Sequence, residues 1–271
     1  MMRLFLILSL LLTPLLHAER PLYALDNGLG GIKAPQQQAA LLKKLGYGGI
    51  VTRPNWCKQA MVDAFDKEGL KILATYVVIP AGETPPAELE KHFELIRTHK
   101  TIVWLGISKP KGKQSTDEDA AATARQVVDL AAKYDLSTCL YPHVGFHTDT
   151  VKSCERLHQL AQRPKLGLGF TLCHFLAQNP HSELEATLKR IAPYLMLVQV
   201  SGADELKAPK IDWKQLIQPL GSGTFDVGRV LKTLDEIKYQ GPVTLQCFNI
   251  KEPAAQHLSA SMQAWKGLNP S

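Results

Sequence analysis

Short apolar runs alternate with amphipathic stretches eight times along this chain. The runs fall at Tyr23–Asp26, Gly49–Thr52, Lys71–Val77, Ile102–Ile107, Ser137–Tyr141, Gly167–Thr171, Leu195–Gln199 and Val243–Gln246. They are rich in Val, Ile, Leu and Tyr, and most lack polar alternation, the pattern of strands covered on both faces. Between them, helical spacing recurs over Gln36–Leu45, Trp56–Glu68, Pro86–Thr98, Asp117–Tyr134, Thr150–Gln162, Ser182–Ile191, Val227–Ile237 and Ala254–Trp265. Ser115 or Thr116 is placed to cap the fourth helix and Asp226 the seventh, while Gly46 and Gly69 follow helix ends. Eight strand–helix units in about 250 residues predict an α/β fold, a closed (β/α)8 TIM barrel. An open doubly wound sheet would carry a G-x-G-x-x-G turn, and neither Gly28-Leu29-Gly30-Gly31 nor Gly221-Ser222-Gly223 has that spacing.

The N-terminus has a different pattern. Arg3 is followed by an apolar run, Leu4–Leu16, broken only by Ser9, Thr13 and Pro14, and then by the small residue Ala18. This reads as a secretory signal peptide over residues 1–18, leaving 19–271 as one barrel domain in the periplasm or outside the cell. The run is short for a bilayer span, and no cysteine follows it to carry a lipid, so no stable membrane anchor is expected after cleavage.

Composition adds little beyond this. The 271 residues are 45% hydrophobic and 21% charged, as in ordinary globular proteins. The net charge of +6 could suit nucleic acid, but Lys and Arg are mixed with acidic residues and form no stripe. The densest run, Lys109-Pro110-Lys111-Gly112-Lys113, reads as a solvated loop. Five cysteines without a Cys-x-x-Cys pair read as small buried hydrophobes.

Barrel enzymes carry their chemistry at the C-terminal ends of the strands. Asp26, Asn27, Arg53, Tyr76, Tyr141, Thr171, Gln199 and Gln246 all fall there. Strand alternation pairs inward Tyr141 with Cys139 and His143, Thr171 with Cys173, Gln199 with Ser201, and Gln246 with Phe248. The other histidines, His92, His99, His147, His158, His181 and His257, are expected in surface roles.

The stretch Ile217–Asp226 with Gly221 and Gly223, then Leu231, Leu234 and Tyr239–Gln246, resembles the last unit of the xylose isomerase-like TIM barrel superfamily. Tyr141-Pro142-His143 is similar to that family's Glu-x-His, Thr171-Leu172-Cys173-His174 to its Asp-x-x-His, and Val198–Ser201 to the strand that supplies a ligating histidine. The resemblance implies a sugar isomerase, epimerase or keto-sugar lyase, or an abasic-site endonuclease. It also places Tyr141, Thr171, Gln199 and Gln246 where the family holds metal ligands. Divalent ions need anionic oxygens or imidazoles, so no metal and no other cofactor is expected here.

These residues suggest an exported barrel acting on a carbohydrate by proton transfer next to a carbonyl. His143 and His174 are the candidate catalytic pair, because imidazole titrates near neutrality. Asn27, Arg53, Tyr141, Thr171, Gln199 and Gln246 are the candidate substrate-binding groups. A keto-sugar lyase or hydratase and a non-catalytic sugar-binding barrel are the alternatives. Trp56, on an early helical turn, packs locally or presents its ring to a sugar. No nucleic-acid partner is expected, and barrels of this type often form homo-oligomers.

Overall fold

Eight parallel strands close into a ring in chain order in the computed structural model, which describes residues 20–269. The expected signal peptide lies outside the described residues. The strands are β1 (Leu22–Leu25), β2 (Gly49–Thr52), β3 (Lys71–Pro80), β4 (Ile102–Ser108), β5 (Ser137–Leu140), β6 (Leu166–Thr171), β7 (Leu195–Val200) and β8 (Val243–Leu245). Ring closure is made by Tyr23 opposite Thr244 and Ala24 opposite Leu245. The helices are α1 (Pro35–Leu45), α2 (Gln59–Lys67), α3 (Ala87–Ile96), α4 (Asp117–Ala132), α5 (Val151–Ala161), α6 (Leu172–Gln178), α7 (Leu184–Ile191), α8 (Trp213–Leu216), α9 (Gly228–Glu236) and α10 (Ala254–Leu268).

The two-sided burial anticipated for the strands is met by two cores. A large apolar layer joins the outer strand faces to the helices, including Ile50, Ile72, Leu105, Phe170 and Trp265. A smaller one fills the bore with Leu25, Val51, Ala74, Trp104, Cys139, Tyr141 and Leu197. Such filled interiors are general in this fold, so the site can lie only at the mouth. Local signals agree in part with the sequence. Thr116 caps α4 in a reciprocal box with Asp119, whereas Asp226 stands one residue before Val227, the N-cap of α9, and its Oδ1 accepts from the Gly228 N–H at 2.9 Å. All five cysteines are buried and unpaired.

Three expectations need correction. The chain turns into α6 directly after Thr171, so Cys173 leaves strand alternation and packs in the outer core. The helix after β2 starts at Gln59, not Trp56. Trp56 sits in a turn, 52% exposed, with the Arg53 guanidinium 4.4 Å from its ring centre. None of the remaining six histidines is fully exposed: His92, His181 and His257 are buried, and His99, His147 and His158 are half-buried. His92 Nε2 meets Thr75 Oγ1 at 2.8 Å, His257 Nε2 donates to the Gly28 carbonyl at 2.9 Å, and His147 bridges Ser115 and Asp117. A helical sequence pattern does not reveal a polar tip that finds its partner across the fold.

Candidate active site

The mouth of the barrel holds a cavity of about 620 Å³, lined mostly by apolar surface. Its floor is aromatic. Tyr141, just past β5, lies 4.0 Å from the Trp104 ring of β4 and 5.2 Å edge-on from Tyr76 of β3. The indole fits because β6 carries glycine opposite it. A Cβ on Gly169 would stand 2.8 Å from Trp104 Nε1 and 3.0 Å from the Leu140 carbonyl. Val144, Ile211, Trp213, Ile217 and Phe248 form the upper wall.

One side of the wall is built by β5 and β6. His143 follows Tyr141 on a loop fixed by its N–H to the Thr148 carbonyl at 2.8 Å. His174 projects from the first turn of α6, and the two imidazoles stand 4.2 Å apart. Hydrogen bonds set their tautomers. His143 Nδ1 meets the Val144 carbonyl at 2.9 Å; a carbonyl can only accept, so Nδ1 carries the proton and Nε2 is left as a bare lone pair. His174 Nδ1 accepts the Val144 N–H at 3.4 Å, so its Nε2–H donates to Tyr141 Oη at 3.1 Å. The Tyr141 hydroxyl proton is then free to donate. Burial pushes His143 below its ordinary value. It pushes His174 well below, helped by the neighbouring His143, and holds Tyr141 well above the ordinary phenol range. Both histidines are therefore neutral at pH 7.

The facing wall comes from β1 and β2. Asp26 and Asn27 open a 3-10 turn directly after β1. Asp26 Oδ2 accepts from Arg53 Nε at 3.0 Å and from Thr52 Oγ1 at 3.5 Å. Burial raises the Asp26 acid, outweighing the lowering by Arg53 and Thr52. Among the described residues it is the one acidic side chain lining the cavity.

A ladder of carboxamides runs beneath that wall. Asn27 Nδ2 donates to Gln246 Oε1 at 3.1 Å, and Gln246 Nε2 donates to Gln199 Oε1 at 3.1 Å. The backbone N–H groups of Cys247 and Phe248 also reach Gln246 Oε1, each at 3.0 Å. Asn27 Oδ1, Gln199 Nε2 and Thr171 Oγ1 are buried without a partner.

The expected site residues thus divide into two layers. Asn27, Arg53, Tyr141, His143, His174 and Gln246 line one cavity. Thr171 and Gln199, register neighbours on β6 and β7, lie fully buried one layer deeper and do not line it. Asp26, Trp104, Ile211 and Trp213 were not singled out as binding or catalytic residues from the sequence. Asp26 had a legible signal, a carboxylate at a strand end one strand away from an arginine. The three apolar residues carried none.

The donors at the mouth do not fit the divalent ion that the fold family implies. Three N–H groups already point at Gln246 Oε1, its nitrogen is a donor, and both His174 nitrogens are engaged. Among the described residues no three His, Cys, Asp or Glu side chains converge on a point.

A closed parallel barrel with a histidine pair and a cavity at its C-terminal mouth defines the class of (β/α)8 proteins with sites made by strand-end loops. Residues 39–267 match the model of the xylose isomerase-like TIM barrel, and the chain belongs to that family. No curated protein matches it by sequence. Among solved structures it resembles 3-keto-D-glucoside 4-epimerase, YcjR, from E. coli, at 13% identity and TM-score 0.73, over 92% of this chain and 100% of that one. It also resembles the probable 3-DHS dehydratase AsbF, involved in petrobactin synthesis, from Bacillus anthracis, at 13% identity and TM-score 0.68, over 92% of this chain and 100% of that one. A xylose isomerase-like TIM barrel/4-hydroxyphenylpyruvate dioxygenase fusion protein matches at 18% identity and TM-score 0.71; 91% of this chain is covered, but only 42% of the fusion.

Proposed function

We propose that the chain isomerises or epimerises a sugar or keto-sugar by moving a proton on and off the carbon beside a carbonyl. The single observation that carries this reading is His143 Nε2, left without a hydrogen-bond partner on a ring that lines the cavity and whose other nitrogen is locked as a donor. A neutral imidazole with its lone pair directed at substrate is the form a general base needs. Tyr141, with its proton free, and Arg53 supply donors for the oxygen on which charge develops. Asn27 and Gln246 border the same space and suit hydroxyl groups, and Trp104, Tyr76 and Trp213 suit the apolar face of a sugar ring.

On this reading proton transfer needs no metal and no other cofactor. In support, the amide ladder already occupies the Gln246 oxygen that a cation would need. On the same reading the protein is exported and its ligand is a small carbohydrate rather than nucleic acid. Among the described residues no helix is long and apolar enough to cross a membrane.

The test is solvent exchange. Purified mature protein in heavy water should introduce deuterium beside the carbonyl of a keto-sugar, and His143→Gln should slow this by about 10²–10⁴. An unchanged rate in the variant removes His143 from the chemistry, and binding without exchange would leave a sugar-binding barrel. Chelator treatment should not alter the rate. Gln246→Glu combined with Gln199→His should create a calorimetric zinc signal that the parent lacks.

A second reading, a keto-sugar lyase or hydratase, draws on the Tyr141 hydroxyl. Its free proton could go to a leaving oxygen in β-elimination after the same first step. An unsaturated, ultraviolet-absorbing product would select that reading.

A further inference from the structure

The strand order of the ring puts β1 and β5 on opposite sides of the mouth, four strands apart in either direction. Asp26 follows β1 directly, and His143 lies three residues beyond β5. Both line the same cavity, so a ligand held between them has one group against each face. Each keeps one atom without a side-chain partner. Arg53 and Thr52 bond Asp26 through Oδ2, leaving Oδ1 with no side-chain partner, and His143 Nε2 is likewise unpartnered. Neither atom is among the sealed, unsatisfied polar atoms of the interior. The guanidinium that orients Asp26 is itself held over Trp56, at 4.4 Å from its ring centre.

We propose that Asp26 and His143 are a two-base pair acting across the barrel, so that the reaction inverts a stereocentre and the chain is an epimerase. This deepens the proton-transfer reading above and rests on it. An isomerase that moves a proton between adjacent carbons can work with one base on one face. Inversion at a single carbon requires one group to remove a proton from one face and another to deliver a proton to the opposite face.

The steps balance. His143 Nε2 takes the proton from the carbon beside the carbonyl and becomes imidazolium, while the C–H electron pair moves into an enolate whose charge rests on the carbonyl oxygen. Protonated Asp26 gives its carboxyl proton to the opposite face of that carbon, the carbonyl re-forms, and the carboxylate remains paired with Arg53. Solvent resets both groups. In the reverse direction the roles exchange. Burial keeps Asp26 more readily protonated and His143 more readily neutral than their ordinary counterparts, which suits these starting states.

The experiment uses the mature protein in heavy water with D-fructose and methyl 3-keto-D-glucoside as probes, read by proton NMR. For the parent, each epimer formed should carry one solvent deuterium at the inverted carbon. Asp26→Asn keeps an oxygen acceptor for Arg53. It should lower epimer formation at least ~10²-fold, while deuterium still enters the starting sugar with its configuration retained. His143→Gln should give the mirror pattern, exchanging the epimer but not the starting sugar. If Asp26→Asn fails to fold, that mirror pattern alone decides. Epimerisation by Asp26→Asn at the parental rate overturns the proposal. So does loss of exchange from both epimers in that variant, which would make Asp26 a binding or structural residue. No exchange by the parent itself would refute the underlying proton-transfer reading, and this proposal with it. Exchange by the parent without any inverted product would refute only the two-base pair.

Discussion

Gln246 and Gln199 meet head to tail: the Nε2 of Gln246 donates to the Oε1 of Gln199 at 3.1 Å. The pairing joins β7 to the segment directly after β8. Gln246 Oε1 also receives three N–H groups, so the side chain is a hub of buried hydrogen bonds. Gln246→Leu would orphan those donors together with the Gln199 acceptor. We expect a loss of about 1–3 kcal/mol, measured by urea denaturation, with m unchanged.

The acid limb of the turnover profile follows from His143. Burial lowers His143, so its neutral form survives to more acidic pH than a free imidazole with the ordinary value of 6.5. The acid limb of kcat/KM should therefore lie below pH 6.5 and should vanish into the residual rate of His143→Gln. A limb at or above that pH would place the base elsewhere.

Acid stability has its own signature. Burial lowers His92 to about 4, and Lys58 adds to the shift; burial also lowers His257. A buried neutral histidine binds fewer protons than its unfolded form. Stability is thus fully present above the unfolded value of 6.5 and is lost as pH falls from there towards 4. For His92 alone the full loss is about 3 kcal/mol. The melting temperature should fall between pH 7 and 4.5, and Thr75→Val with His92→Leu should flatten that decline.

Gly169 is open to a direct test of packing. Alanine there would press on Trp104 and on the Leu140 backbone, which cannot move without disturbing β5. Gly169→Ala should cost about 1–3 kcal/mol by overpacking and should change the tryptophan fluorescence. A mixed outcome, normal stability with weakened turnover, would mean that the indole yields into the cavity.

Arg53→Lys separates orientation from charge. Lysine keeps the positive charge but loses the Nε contact that fixes Asp26 and the planar stack on Trp56. We expect kcat to fall more than tenfold with a smaller change in KM. A pure KM effect would assign Arg53 to binding alone.

The fold was legible because both of its physical signals are local. Apolar runs without alternation mark strands buried on two faces, and all eight were placed within a few residues of their observed ends. The site was legible in part, because barrel topology gathers strand ends wherever they lie in the sequence. The topology brings Tyr141, His143, His174, Gln246, Arg53 and Asn27 to one cavity. It does not reveal depth: Thr171 and Gln199 share the strand-end pattern but sit under the lining. Cys173 shows the other limit. A period of two does not hold in residues that already obey a period of 3.6, and Leu172–Ala177 is buried on every side and gives no amphipathic cue. Side-chain pairings such as Asp26 with Arg53 depend on the register between strands, which no local pattern encodes.

Trp104 plugs the bore beneath the cavity, so the pocket has no exit along the barrel axis and opens at the rim. Whatever leaves must back out along the path by which the next molecule enters. Departure and arrival therefore exclude one another, and accumulated product should compete with substrate for the same vestibule.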